Sequence, residues 1–299
     1  MVKNPKIREV VAMSDQDLYQ QVWDEDILNG NGIKPVLKAE DGKKEDGYIV
    51  VDDKETTDQN HQIFPEVHIP EDKKVSYDLV AKLFNNYTLN PRSGEDNILS
   101  EGEEVEEFLN FAINSAPMKL VRRIIEERGR IEFSDSKWFT YLYTVWFRQY
   151  PSDRGRGRDL SGFEHLFIGE SKGTKLSGHH FWYTYYLADQ ASSDTIYLGP
   201  DYKNCENPES PAVVTISYKM AAMDFVKEKY VQLYKEIGGF FVGLSAEGLM
   251  AIGTLRFTHQ AFAPKDAYIN NNHYRLELYR SEGGGGESLR TFFPVYLCR

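Results

Sequence analysis

The sequence predicts an α+β fold, in which a helical N-terminal part precedes a part built on antiparallel β-sheets with a few packed helices. Helical periodicity dominates residues 14–149, and strand-like segments dominate the residues that follow. Helices and strands thus occur in separate runs, without the alternation that the βαβ units of a parallel sheet require. Aromatic residues make up 13% of the chain, a high share that favours strands. We expect residues 1–150, mainly helical, and 151–299, rich in strands, to form one domain together.

The predicted helices of the N-terminal part are delimited by capping residues, proline and glycine. Ser14 is the predicted N-cap of a helix over 14–29, which Gly30 ends. Pro117 favours a new helix start, and this helix continues to Gly129. Further helices are predicted at 76–87, 101–114 and 134–149. The charged segment 38–60 is predicted to be a loop with one short strand at 48–51.

Strand patterns dominate the chain after the Pro- and Gly-rich segment 150–162. Alternating and β-branched runs predict strands at 163–169, 180–187, 213–218, 239–244, 273–280 and 289–297. Apolar residues at helical spacing predict an amphipathic helix at 220–235 and a shorter helix at 245–252. The run GGGG at 283–286 is predicted to be the tip of a hairpin between the last two strands.

The charge distribution restricts the classes of partner. The net charge of −11 argues against a generic nucleic-acid binder. Residues 1–110 carry a net charge of −13, however, whereas residues 111–299 carry +2. The C-terminal part can therefore present a basic groove to an anion.

Several observations favour a cytoplasmic location. No apolar stretch reaches the length of a membrane span, and the N-terminus lacks the apolar core of a signal peptide. The two cysteines, Cys205 and Cys298, form no disulfide framework, although a single bridge is possible. A signal peptide removed by processing would instead make the protein a secreted one.

Two histidines in the run 161–187 are the strongest candidates for function. The run is predicted to be two short strands around a Lys172-Gly173 turn, which pairs His165 directly with His180. Directly opposed side chains have Cβ atoms about 4.5–5.5 Å apart, so two imidazoles can flank one phosphate. A bulge at Gly178 would shift this register by one residue.

Other polar residues near these histidines have competing interpretations. Glu164 and Glu170 flank His165, and a buried carboxylate beside a histidine fixes its tautomer and raises its pKa. The alternative is an exposed edge strand. His179 and His180 suggest a metal site, but strand neighbours point to opposite faces, so we expect one to pack in the core. The run RGRGR at 154–158 is either a nucleic-acid contact or a solvated linker.

The histidine segments also carry a family resemblance. SGFEHLFIGE (161–170), followed by SGHHFWYTYYL (177–187), resembles the signature of the EndoU-type endoribonucleases, which has the form GFEHVFVGE and then GxHNW. KEIGGFFVGLSAE (235–247) and TFFP (291–294) resemble two further family elements, a lysine with a downstream GxSxE and a late TxYP strand. Looser similarity extends upstream over nearly the whole chain.

The resemblance implies the site residues. It assigns His165, His180 and Lys235 as catalytic. It places substrate contacts at Thr291, Phe293 and Gly239, although Phe293 lacks the family's tyrosine hydroxyl, and Gly239 stands where coronavirus-type enzymes have a serine that contacts uracil. It also implies single-stranded RNA as partner, a preference for uridine, a monomer, and stimulation by Mn²⁺ or Ca²⁺. The sequence shows no ligand set for a metal.

The implied chemistry is transesterification by the RNA 2′-hydroxyl, which yields a 2′,3′-cyclic phosphate and a 5′-hydroxyl. We assign His180 as base, His165 as acid and Lys235 as the cation that stabilises the phosphorane, and the two histidine roles are interchangeable at this stage. None of these steps requires a metal. The alternatives are an RNA- or protein-binding module with weak or no catalysis, and a metal-dependent hydrolase that uses His179 and His180.

Overall fold

The computed structural model describes most of the chain and has the predicted α+β architecture. The described residues are 14–58, 60–90, 99–151, 160–191, 195–202, 210–224, 229–258, 263–282 and 285–298. The arginine-rich run 154–158, half of the glycine run at 283–286, and Cys205 lie outside them. Cys298 is disulfide-bonded.

The helices of the N-terminal part lie close to their predicted positions. Ser134 caps its helix, because its Oγ accepts a hydrogen bond from the backbone N–H of Lys137. Gly30 ends the first helix as predicted, but this helix begins at Leu18, four residues later than Ser14. The helices are α1 (Leu18–Asn29), α2 (Lys74–Lys82), α3 (Leu99–Ala112), α4 (Ala116–Gly129) and α5 (Asp135–Trp146).

A small sheet accompanies these helices. Its strands are β1 (Lys34–Val36), β2 (Tyr48–Val50) and β3 (Glu66–His68), and only β2 was predicted. The first pair is parallel and the second antiparallel. Three-residue strands carry too few residues to show a period, which is why the sequence did not reveal β1 and β3.

A five-stranded sheet forms the centre of the C-terminal part. Its strands are β4 (Glu170–Lys172), β5 (Lys175–Ser177), β6 (Ile196–Pro200), β7 (Val213–Asp224) and β8 (Lys229–Phe241), in the order β4-β5-β8-β7-β6. The predicted helix at 220–235 is wrong, because residues 220–224 belong to β7 and residues 229–235 to β8. Met220 and Ala222 are buried two residues apart, so packing of alternate side chains overrides the helix propensity of this segment.

Two predicted strands are helical instead. Residues Glu164–Ile168 form one turn of π-helix, and Trp182–Ala191 form helix α6. The rings of Phe163 and Phe167 stack with centroids 4.3 Å apart, a contact that a strand cannot make between residues four apart. The aromatic content of these two segments therefore favours strands in the sequence, whereas their aromatic residues pack at helical spacing in the structure.

A buried helix connects the two parts. Helix α7 (Ala246–Phe257) confirms the helix predicted at 245–252, and all of its residues are buried. It packs against α1 and α4, and one hydrophobic cluster includes residues from both parts. The last sheet has the order β11-β10-β9, and the predicted terminal hairpin is confirmed. Its strands are β9 (Asp266–Ile269), β10 (Asn272–Arg280) and β11 (Leu289–Tyr296). No helix within the described ranges has the length and apolarity that crossing a membrane requires.

Candidate active site

A cleft of about 440 Å³ brings the predicted site residues together. Its walls come from the π-helical turn, the end of β5, and strands β7, β8 and β11. The three residues assigned as catalytic, His165, His180 and Lys235, all line it, and so do the three assigned to substrate, Gly239, Thr291 and Phe293.

His165 lies on the π-helical turn and is held by a carboxylate. Its Nδ1 lies 2.7 Å from Oε1 of Glu170, the first residue of β4, and both side chains are buried. Burial raises the pKa of Glu170, but the hydrogen bond and charge of His165 outweigh it, so this pKa lies below its usual value. The contact thus orients Nδ1 of His165 toward Glu170 and its Nε2 away from this carboxylate.

Glu164 supports the turn itself. Its carboxylate accepts a hydrogen bond from the backbone N–H of Ser161, and its own N–H donates to Oγ of Ser161 at 3.1 Å. This reciprocal pair resembles a capping box. Because the segment is a helical turn and both Glu164 and Glu170 are buried, the alternative of an exposed edge strand is wrong.

His180 reaches the cleft by a different path from the predicted one. The β4–β5 hairpin pairs Glu170 with Ser177, so its tip is Gly173-Thr174, and direct pairing of His165 with His180 is wrong. The chain instead bends back at Gly178, whose φ is +69°, and the N–H of His180 donates to the carbonyl of Leu166 at 2.6 Å.

This bend still brings the two histidines together, with ring centroids 6.4 Å apart. A Cβ at Gly178 would lie 2.0 Å from the carbonyl oxygen of His165, so only glycine fits the bend.

The ring of His180 is fixed on two sides. Its Nδ1 lies 2.9 Å from the carbonyl oxygen of Gly239, which requires Nδ1 to carry the proton, and it stacks on Phe293 with centroids 4.9 Å apart. Burial, with the charges of Lys235 and His165, holds the pKa of His180 well below 6.5. His180 is therefore neutral at neutral pH, with Nε2 as its acceptor.

Lys235 extends from β8 toward the bend that carries His180. Its Nζ donates a hydrogen bond to the carbonyl of Gly178. Burial, and then repulsion from Lys172, lowers the pKa of Lys235 to about 8. The ammonium group is thus charged at neutral pH and loses its charge under mildly alkaline conditions.

The other end of the cleft carries small and hydroxyl-bearing residues. Thr291 has a buried Oγ1 without a hydrogen-bond partner among the described residues. A Cβ at Gly239 would lie 2.8 Å from the carbonyl oxygen of Pro294, so a side chain there requires β11 to move. Thr215, which pairs with Gly239 across β7 and β8, lines the same end. The sequence did not point to Thr215, because its place opposite Gly239 depends on a hairpin that was predicted as a helix.

The surroundings of His179 and His180 do not support their interpretation as a metal site. As expected, one histidine faces the cleft and the other packs: Nδ1 of His179 lies 2.6 Å from the hydroxyl of Tyr218, in the interior. Within the described part of the chain, no group of three His, Cys, Asp or Glu side chains is arranged to hold a metal ion. The Mn²⁺ or Ca²⁺ implied by the resemblance therefore finds no set of three such side chains among these residues.

Comparison with known proteins supports the family. The chain is similar to uridylate-specific endoribonuclease C of Danio rerio, with 28% identity over 74% of this chain and 68% of the relative. It is 25% identical to the poly(U)-specific endoribonuclease of Xenopus tropicalis over 94% of this chain and 92% of the relative. The solved structure of XendoU, a splicing independent snoRNA processing endoribonuclease, has the same fold, with a TM-score of 0.71, 20% identity and 98% of both chains covered.

The model of the family Endoribonuclease XendoU matches residues 15–294, nearly the whole chain. The resemblance found in the histidine segments is thereby confirmed, and the chain belongs to the XendoU family of endoribonucleases.

Proposed function

We propose that this protein cleaves single-stranded RNA at uridines by transesterification, and that His165, His180 and Lys235 carry the reaction. Family membership supports the endoribonuclease activity. One observation carries the mechanism: a carboxylate-held imidazole, a neutral imidazole and a buried ammonium group line one cleft. The products are a 2′,3′-cyclic phosphate and a 5′-hydroxyl.

The environments of the two histidines favour one assignment of the roles that the sequence left interchangeable. His180 is the base, because it is neutral and its Nδ1 proton is held by the Gly239 carbonyl, which leaves Nε2 to accept the 2′-hydroxyl proton. His165 is the acid, because its Nδ1 is held by the Glu170 carboxylate, which leaves Nε2 to deliver a proton to the substrate. The acid donates its proton to the departing 5′ oxygen.

Lys235 stabilises the charge that develops on the phosphorane. Lys235 is only 6% exposed, so its charge acts in a medium that screens it less than water does. Its lowered pKa, about 8, leaves it protonated at neutral pH. Lysine rather than a third histidine suits this role, because it does not compete as a base at that pH.

The uridine preference rests on the relatives and on the cleft. Relatives carry the names uridylate-specific and poly(U)-specific endoribonuclease. In this chain Gly239 and Phe293 supply no side-chain hydroxyl, whereas Oγ1 of Thr291 is buried in the cleft wall without a hydrogen-bond partner among the described residues. We propose that Thr291 contacts the nucleotide, and that Phe293, stacked on His180, limits the space beside it.

Stimulation by Mn²⁺ or Ca²⁺ remains part of the proposal by resemblance alone. Since no donor set among the described residues fits such an ion, the mechanism contains no step through it. Cleavage assays with and without a chelator, repeated after addition of Mn²⁺ or Ca²⁺, measure whether the ion contributes.

The test uses short RNA oligonucleotides that contain a single uridine, with a matched oligonucleotide that carries 2′-deoxyuridine at that position. We expect cleavage 3′ of the ribouridine, a 2′,3′-cyclic phosphate detected by mass spectrometry, and an intact deoxy substrate. Cleavage of the deoxy substrate at the same rate would contradict transesterification. Binding of both oligonucleotides without cleavage of either would favour the binding module.

A further inference from the structure

One buried histidine of the site segment takes no part in the proposed chemistry. His179 is 1% exposed, and its backbone has φ of +60°. Among the described non-glycine residues with positive φ, His179 alone is buried. A left-handed backbone conformation costs a non-glycine residue free energy and persists where its surroundings impose it.

The partner of His179 comes from the strand that faces Lys235. The hydroxyl of Tyr218 lies 2.6 Å from Nδ1 of His179, and both side chains are buried. In the β7–β8 pairing, a bulge after Ile216 places Tyr218 directly opposite Lys235. Directly paired residues of two strands project their side chains to the same face.

The neighbouring side chains of Tyr218 and Lys235 therefore bind two consecutive residues of one bend. Tyr218 binds the side chain of His179, and Lys235 binds the carbonyl of Gly178. The residue that follows in the chain is His180, the proposed base. The N–H of His179 also donates to the carbonyl of His165 at 2.9 Å, so the bend is tied to the turn that carries the proposed acid.

We propose that His179 and Tyr218 are a pair of positioning residues, which fix the bend at 178–180 and thereby set the distance between His180 and Lys235. The inference rests on the endoribonuclease function proposed above. Neither member touches the substrate in this proposal. The pair acts through the bend, since a displacement of about 1 Å between reacting groups lowers rates by about 100-fold.

The charge states fit a fixed, neutral hydrogen bond. Burial, with repulsion from Lys235, lowers the pKa of His179 to about 3, and burial raises the pKa of Tyr218 above its usual value. The pair is therefore neutral across the working range of the enzyme. A neutral imidazole here also places no second positive charge beside the ammonium of Lys235.

The test compares the loss of the Tyr218 hydroxyl with the loss of the Tyr185 hydroxyl, which is also buried and lies close by. Tyr218→Phe deletes the bond to His179. Tyr185→Phe is the control, because the Tyr185 ring packs on Tyr218 with centroids 5.0 Å apart and its buried hydroxyl has no hydrogen-bond partner within the described structure. We expect Tyr218→Phe to lower kcat by about 10- to 100-fold with KM nearly unchanged, and Tyr185→Phe to behave as wild type.

The pH profile adds a readout that a purely structural role does not move. Release of the bend exposes Lys235 to water, so the alkaline limb of kcat, which follows the loss of its charge, should move to higher pH in Tyr218→Phe. A Tyr218→Phe enzyme with wild-type kcat and wild-type alkaline limb would overturn the inference, whatever its melting temperature.

Two further variants keep the test decisive. If Tyr218→Phe does not fold, His179→Asn and His179→Ala replace it, because asparagine tolerates the left-handed backbone and retains a polar group for Tyr218. We expect His179→Asn to keep more activity than His179→Ala, and equal activities would contradict positioning.

His180→Ala is assayed alongside. If it is as active as wild type, the proposed function fails, and if it is inactive while Tyr218→Phe is normal, the positioning role alone fails.

Discussion

The active-site cleft and a second buried polar cluster lie at opposite ends of one strand-turn-helix segment. The cleft uses Lys235 near the middle of β8. The second cluster, here called the carboxylate cluster, consists of Asp26, Asn31, Ser76, Ser245 and Glu247 and surrounds the N-terminus of α7. Both clusters bury charged groups, and both belong to the segment 235–247 that carries the family resemblance.

The carboxylate cluster is satisfied entirely by protein groups. Asp26 accepts hydrogen bonds from the N–H and the hydroxyl of Ser245, and Glu247 accepts them from Asn31 and Ser76. The cluster thereby joins α1, the following loop and α2 to the start of α7. Ser245 also caps α7. Its position explains the GxSxE element as a structural motif, separate from the chemistry of Lys235.

The cleft differs because some of its polar atoms have no hydrogen-bond partner among the described residues. Each imidazole has one nitrogen held by the protein, through Glu170 or Gly239, and Oγ1 of Thr291 has no partner in the described part of the chain. Buried polar groups are normally paired, so atoms without partners at the wall of a cavity point to substrate. The comparison separates two uses of buried charge: one stabilises the fold, and the other is the one we propose to act on RNA.

The first prediction concerns the imidazoles. We expect His165→Ala and His180→Ala each to lower kcat/KM by about 10²–10⁴, because each removes a proton-transfer group. Because His165→Ala also leaves the buried carboxylate of Glu170 without this partner, the rates are measured at temperatures where each variant is folded. His68→Ala, a histidine of β3, serves as the control and should keep wild-type activity. Wild-type kcat/KM in both active-site variants would contradict the mechanism.

The second prediction concerns the carboxylate cluster. We expect Asp26→Ala to lower the free energy of unfolding by about 1–3 kcal/mol or more, since it leaves the buried N–H and hydroxyl of Ser245 without partners. Under conditions where the variant is folded, its kcat should stay within a few-fold of wild type. Urea denaturation and kinetics at low temperature measure both quantities. A large loss of kcat in the folded variant would place the cluster in the reaction.

The third prediction is an alkaline limb in the rate profile. Because the pKa of Lys235 is about 8, we expect kcat to fall above roughly that pH as the ammonium loses its proton. Lys235→Arg retains the charge at higher pH, so its remaining activity should lack this limb. Identical alkaline limbs in the two enzymes would assign the titration to another group.

The fourth prediction is the pH dependence of stability. Burial, and then the charge of Glu247, raises the pKa of Asp26 from 3.8 to about 7, so the folded state binds a proton that the unfolded state releases. The contribution is full below pH 4 and is lost as the pH rises through about 7. We expect Asp26→Asn to flatten this decline in urea titrations at several pH values. An unchanged slope would show that Asp26 does not titrate in this range.

The smallest expected effect is on base selection. We expect Thr291→Val to change the ratio of kcat/KM for uridine and cytidine substrates by a few-fold to about tenfold, since one hydrogen bond to the substrate is lost. Thr140→Val, an exposed threonine of α5, is the matched control. An unchanged ratio would remove Thr291 from base contact.

The local patterns predicted the helices of the N-terminal part well and the β7–β8 hairpin badly. Apolar spacing and breaks such as Pro117 and Gly129 are read within one segment, and the predicted bounds of α4 and α5 lie within a few residues of the observed ones. Residues 220–224 and 229–235 have helix-forming side chains, but the pairing of β7 with β8 decides their conformation. Likewise, Phe163 and Phe167 fit the sequence pattern of a strand as well as that of a helical turn, and only the stacking of their rings distinguishes the two.

The candidate site residues could be assigned from the amino-acid order alone, because the motifs around His165, His180 and Lys235 resemble those of one family. Their arrangement could not, since a π-helical turn, a left-handed bend at His179 and a bulge opposite Lys235 depend on contacts between segments far apart in the chain. Burial and the neighbours it creates also decide which imidazole is neutral. The side chains determine which reactions are possible. Their protonation states and the distances between them are set only when folding removes water and brings these groups together.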